Sequence, residues 1–194
     1  MKISLHICCA VCAAGASERL IQEGHHIEGY FFNPNLYPEE EYLLRLENAQ
    51  TVAREMGFHL TEGPRNFLDW DDAVAGLASE SEGGARCLVC FKFRLAQTHR
   101  FMRETGCDAF TTTLTMGSNK SGILINQLGC EIGGEDFLER DFKKKGGFQR
   151  AGELAERWGL YRQHYCGCRY SLKAMETRFN QKQSPNSLHQ NTDQ

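Results

Sequence analysis

The chain has 194 residues, a formal net charge of −3, and 41% aliphatic, aromatic or cysteine side chains. That length suits one domain, and the apolar share builds a core without disulfide staples. An acidic balance gives no general affinity for nucleic acid, though a local basic face can still contact phosphates, and no run approaches the ~18 apolar residues of a membrane span.

The opening "MKISLHICCAVCAAGAS" loosely imitates a signal peptide, but one lysine precedes the apolar stretch and His6 interrupts it. Cleavage would also discard three of nine cysteines, so the expected location is cytoplasmic. Residues 3–7 read as a strand and 16–24 as a helix ending at Gly24. A second strand, 26–32, is closed by the turn "NPN" (33–35). The helix 38–57 follows, with Pro38 and three acidic residues at its start and Gly57 past its end. A third strand covers 58–63, a helix 66–80 and an exposed turn 81–85.

In the helix 87–106, Leu88, Phe91, Leu95 and Met102 share one side, and Cys87, Cys90 and Arg94 another. A β-branched strand at 108–115 precedes helices at 122–133, 148–159 and 169–182. The polar tail 183–194 is expected to be disordered. Residues 1–182 thus read as a single α/β domain with a C-terminal helical part: a Rossmann-like parallel sheet with helices on both faces. Such sheets bind ligands beyond the carboxyl ends of the strands. There "CCAVC", "NPN" and "TTLTMGSNK" converge. Neither G-x-G-x-x-G nor G-x-x-x-x-G-K-[ST] occurs, so no nucleotide cofactor is indicated.

Seven of the nine cysteines fall in three packets: Cys8, Cys9, Cys12; Cys87, Cys90; Cys166, Cys168. Cys107 and Cys130 stand alone beside apolar residues and read as core filler. Thiolates at a helix start are favoured by its free N–H groups, and Gly167 lets the backbone bend closely between two thiols. Seven exceed one tetrahedral zinc site. They suit one [4Fe–4S] cluster with three left for a second metal, or two structural zinc ions. A redox-active dithiol at Cys87/Cys90 would leave five clustered cysteines unexplained.

The succession H-x-CC-x-x-C, "NPN" with a following "PEEEY", "RCLVCFKFRL", "FTTTLT", "DFKKK" and "GLYRQHYCGCRYSL" resembles the QueH family of cobalamin-independent epoxyqueuosine reductases, from about residue 3 to 172. The resemblance implies a Rossmann-like protein related to the adenine-nucleotide α-hydrolase group. It implies a [4Fe–4S] cluster with a neighbouring metal ion, iron, and no cobalamin. The implied reaction is reduction of epoxyqueuosine to queuosine in the tRNA anticodon, with an electron donor that the sequence does not identify. Val11 stands where many relatives have proline, and "MGSNKSG" (116–122) replaces a stretch nearer "ISPHKNA", keeping Lys120.

On that reading Cys9, Cys87, Cys90 and one of Cys166 or Cys168 hold the cluster. Cys8, Cys12 and the remaining cysteine hold the second metal. Tyr165, His164 and Lys120 are candidate proton donors. His6 is either a hydrogen-bond donor to a metal thiolate or a core histidine. Asn33 and Asn35 either form a turn or bond the modified base, with Tyr37 or Tyr42 stacking on it and Arg45 on the same helical side as Tyr42. At most two of Thr111, Thr112 and Thr113 reach a ligand, with Thr112 the candidate. Lys143, Lys144 and Lys145 are expected to contact tRNA phosphates, with Arg162 a substrate-binding residue that can join that face. The rival functions are a zinc-stabilised RNA-binding protein without redox activity, and a sulfur-transfer enzyme. The second lacks the SGGxDS-type phosphate loop.

Overall fold

The computed structural model describes residues 1–65 and 67–183. Four parallel strands, β1 (Lys2–His6), β2 (His26–Phe31), β3 (His59–Glu62) and β4 (Ala109–Thr112), lie in the order β3-β2-β1-β4. Leu5 of central β1 sits opposite Gly29 and Thr111. Ile3, Ser4, Leu5 and His6 are all fully buried, because helices cover both faces of such a strand and erase polar alternation. The strand order reverses between β1 and β4, where α/β sheets open a crevice at their carboxyl ends.

On one face lie α1 (Ala10–Gln22), α2 (Glu39–Met56) and α6 (Gly147–Arg157); on the other, α4 (Ala85–Glu104) and α5 (Gly122–Gly133). A short α3 (Phe67–Ala73) packs on α4, and α7 (Arg169–Gln183) ends the described chain. Residues 184–194, most of the expected tail, lie outside the described residues. No helix among the described residues is long and apolar enough to cross a membrane.

Three element boundaries differ from the sequence reading by more than two residues, each for a local reason. Helix α1 starts at Ala10, not residue 16, since its run of alanines and Gly15 serves close packing. A Cβ on Gly15 would lie 2.8 Å from Ala151 Cβ of α6. Helix α3 stops at Ala73, just before Gly76, which takes the left-handed φ of 78°. Strand β4 stops at Thr112, whose hydroxyl accepts from Leu114 N at 3.1 Å and starts a 3-10 turn over Thr113–Met116.

Candidate metal centre

The chain leaves β1 at the topological switch point and turns through Cys8 and Cys9 into α1. Cys8 N donates to Thr113 Oγ1 at 3.0 Å, and the Thr113 hydroxyl donates to Cys8 Sγ at 3.2 Å. Cys9 is extended and accepts from Ala13 N through its carbonyl, which places Cys12 in the first turn above it. The three sulfurs are buried and all lie within 4.8 Å of one another, with Cys8 and Cys9 at 3.9 Å. Thiolates on one tetrahedral ion with ~2.3 Å bonds stand about 3.8 Å apart.

The three thiols shift in different directions. Hydrogen bonding with Cys12 and Cys9 holds the Cys8 thiol well below the ordinary range against burial, with Lys120 and Arg94 assisting. Donation by Cys12 favours the Cys9 thiolate, but competition with Cys8 and burial prevail and push Cys9 up to about 11. Cys12 is pushed well up by Cys8, Cys9 and burial. Bringing all three to thiolate needs a cation.

The other four cysteines come from two segments. Cys87 and Cys90 lie at the start of α4, and Cys87 Sγ accepts from Gly83 N at 3.2 Å. Arg86 donates to the carbonyls of Leu77, Ala78 and Glu80 and stacks over Tyr170, fixing the loop before α4 against α7. Cys166 and Cys168 flank Gly167, whose φ is +119°. A Cβ there would strike Leu36 and the Arg45 guanidinium, so the glycine foreseen for close bending is required. Arg45, buried beside Glu41 at 2.7 Å, donates to Cys166 O at 3.1 Å and Tyr165 O at 3.0 Å. Gly167 O accepts from Tyr37 N at 2.8 Å.

Trp70 and Val74 pack on Cys90 and Cys168. The Trp70 indole N–H is buried without a hydrogen-bond partner, beside the Cys90 thiol. Burial pushes Cys90 up to about 11 and raises Cys87, and charge on Cys166 and Cys168 adds to both. These four sulfurs sense one another without gathering as the trio does.

A cavity of about 460 Å³ connects the two groups, since both Cys12 and Cys166 line it. Lys120, His164, Tyr165 and Arg162 also line it, so the candidates from those distant segments meet. Burial works against the Lys120 charge, but Cys166, Cys8 and Cys12 outweigh it and hold the ammonium above its usual range. Tyr165 is raised to about 12, chiefly by burial, and donates to Tyr37 O.

Gln163 was not singled out from sequence. Its Nε2 donates to Cys9 Sγ at 3.2 Å while its buried Oε1 has no partner. Its only sequence signal was its place between Arg162 and the "YCGC" run.

Several residues expected at the modified base are instead turned into the frame. Asn33 donates to Ile7 O at 2.9 Å and accepts from Arg94. Tyr42 is buried against Phe31 and Phe67 and donates to Glu62 at 2.8 Å, which removes it as a stacking platform. Arg45 is consumed by Glu41 and the 165–166 carbonyls. Thr112 Oγ1 pairs with His6 Nδ1 at 2.8 Å.

His6 itself is a core histidine. Burial, then Arg94, lowers it to about 3, so it is neutral. Lys143 Nζ donates to Gly117 O at 3.3 Å and to Lys120 O, fastening the Lys120 loop instead of facing phosphate. Lys144 and Lys145 are exposed. Arg162 donates to Gly152 O at 2.9 Å. Asn35 and Tyr37 line a different cavity.

Residues 3–174 match the sequence model of a family described as epoxyqueuosine reductase QueH. The chain belongs to this family. A QueH of Streptococcus pyogenes serotype M1 is 37% identical over 182 residues, covering 89% of this chain and 71% of the relative. Those of Haemophilus influenzae and Thermotoga maritima are 34% and 32% identical, with 89% and 88% of this chain covered and 72% and 90% of the relatives. Membership in the QueH family makes the protein an oxidoreductase of the queuosine pathway of tRNA modification. All seven clustered cysteines lie inside the QueH match, as do Lys120 and Gln163.

Proposed function

We propose that this protein reduces epoxyqueuosine to queuosine at the wobble position of tRNA. Both epoxide C–O bonds break and the ring C=C bond forms. Two electrons and two protons leave the oxygen as water. The observation that carries this reading is the cavity lined jointly by Cys12, Cys166 and Lys120. It offers a thiolate metal centre and an ammonium donor to one bound group.

The residues suit a [4Fe–4S] cluster with an adjacent iron, without cobalamin. Sulfurs of Cys8, Cys9, Cys87 and Cys168 already accept hydrogen bonds from Thr113, Gln163, Gly83 and Ser171, as metal-bound thiolates do. The orphaned Trp70 N–H beside Cys90 gains an acceptor once that sulfur is ionised. The close trio Cys8, Cys9 and Cys12 suits a single ion. The wider set Cys87, Cys90, Cys166 and Cys168 suits a cluster. This partition differs from the one read from sequence, which split the trio. When bound, the centre supplies single electrons and Lewis acidity toward oxygen.

Lys120 donates a proton to the departing oxygen, and Lys143 fixes the loop that aims it. The wobble base reaches the cavity by leaving its stack, which costs little in a loop. Lys144 and Lys145 contact phosphates. A cytoplasmic location fits nine free thiols, and a separate donor provides the electrons.

The test is analysis of anaerobically purified protein with an epoxyqueuosine stem-loop. About four to five irons and about four sulfides per chain are expected, with a brown band that bleaches on reduction. The RNA should lose one oxygen. Lys120→Met should retain the colour and lose about 10²-fold in kcat. A colourless protein holding zinc and no sulfide after reconstitution would defeat the proposal and leave the RNA-binding reading.

A further inference from the structure

A second cavity, of about 440 Å³, lies across the 165–169 segment from the first. Asn35, Tyr37, Arg65, Phe67, Trp70 and Arg169 are among its walls. The two cavities share a partition, since Tyr165 lines the first, Tyr37 the second, and the Tyr165 hydroxyl donates to Tyr37 O.

Three features define what this cavity can hold. Its aromatic walls include Tyr37, a residue 54% exposed, whose ring offers a face for stacking. Asn35 is only 3% exposed, and its Oδ1 is buried with no hydrogen-bond partner. An acceptor left so carries a desolvation cost that a donor on a ligand would remove. The third feature is charge. Arg65 is already paired with Glu39 and Glu62, and Arg169 with Asp71. The mouth therefore presents neutralised cations, which disfavours a phosphorylated cofactor and suits the uncharged face of a base.

We propose that this cavity receives the base of a nucleoside next to the modified one in the anticodon loop, stacked on Tyr37 with an N–H edge donating to Asn35 Oδ1. The inference rests on the tRNA reading above, because a covalently continuous loop brings a neighbouring base to an adjoining cavity. It also gives Asn35 and Tyr37 a place in recognition other than at the modified base. Trp70, which forms one wall and packs on Cys90 and Cys168, puts this subsite directly behind the cysteines.

The experiment is equilibrium binding of the full chain to anticodon stem-loops, followed by fluorescence anisotropy and independent of turnover. One stem-loop is intact; others lack the modified base, its 5′ neighbour or its 3′ neighbour. Loss of one neighbouring base should weaken wild-type binding about tenfold, within the range of a base–aromatic stack. Tyr37→Ala should weaken the intact stem-loop by a similar factor and be indifferent to that base, while Tyr37→Phe restores the discrimination. Tyr37 acts on the frame only through its main chain, so the variant should fold.

If binding depends on the modified base but on neither neighbour, the subsite is refuted and the tRNA reading stands. The same holds if the Tyr37→Ala penalty persists when the neighbouring base is absent. If no stem-loop binds better than an unrelated hairpin, both are refuted.

Discussion

The two cysteine groups are built in opposite ways. Cys8, Cys9 and Cys12 come from five consecutive residues seated on the central strand, and Thr113 of the neighbouring strand end is their main outside tie. Cys87, Cys90, Cys166 and Cys168 come from segments far apart in the chain, held together by Arg45, Gly167, Arg86 and Trp70. A site on the sheet inherits its rigidity from the ladder. A site assembled from a helix start and a loop depends on buried polar clamps. Damage to a clamp should therefore separate the two groups.

The sharpest separation is expected from Arg45→Leu. It leaves Glu41 buried without its cation and frees the carbonyls of Tyr165 and Cys166. The expected cost is about 3–5 kcal/mol in urea unfolding. Iron should be lost from the distant four while the trio still takes up one cobalt ion, read by its thiolate charge-transfer band. Equal loss from both groups would show that they form one unit.

Gly167→Ala comes next, at about 1–3 kcal/mol from the positive φ, and more if Leu36 and Arg45 cannot move. It should lower iron retention with the same selectivity. Thr113→Val probes the opposite side. It leaves Cys8 N without its acceptor and Cys8 Sγ without its donor, at about 1 kcal/mol. Here cobalt uptake by the trio should weaken and, on the proposed partition, the iron–sulfur absorption should persist.

Smaller effects fall outside both groups. Lys144→Gln with Lys145→Gln should leave the melting temperature unchanged and reduce the salt slope of stem-loop binding by roughly 1.4, for two single-strand phosphate contacts. An unchanged slope would remove them from the interface. The smallest effect is expected at Glu18, which Arg150 hydrogen-bonds and holds below its usual 4.5 against the opposing effect of burial. A carboxylate so lowered stabilises the fold above about pH 4.5, and the benefit fades as pH falls through its folded value. Wild type and Glu18→Gln should therefore differ slightly in melting temperature at pH 7 and converge in acid.

Much of the architecture was legible because it is written in local pattern. The strands at 3–7, 26–32 and 58–63 lie within a residue or two of β1, β2 and β3, and the glycine ends of the first two long helices hold, with Gly24 at φ 80° and Gly57 at 72°. The seven cysteines announce themselves by spacing. Less legible was the direction in which polar side chains point. Asn33, Tyr42, Arg45 and Thr112 sit beside the rim in sequence, yet each is claimed by a partner in the frame. Lys143 belongs to a basic run but reaches back to the Lys120 loop, because the carbonyls of Gly117 and Lys120 lie within its radius.

An α/β chain with thiols at its strand ends follows from local pattern alone, since periodicity, turn residues and cysteine spacing are short-range properties. Long-range packing, in contrast, is what makes Cys12 and Cys166 face one cavity, brings Gln163 to Cys9, and turns Asn35 and Tyr37 to another cavity. Those facts depend on contacts between segments more than a hundred residues apart. There a buried donor or acceptor takes whichever partner the packed sheet and helices bring within reach, and nothing in its local neighbours specifies that choice.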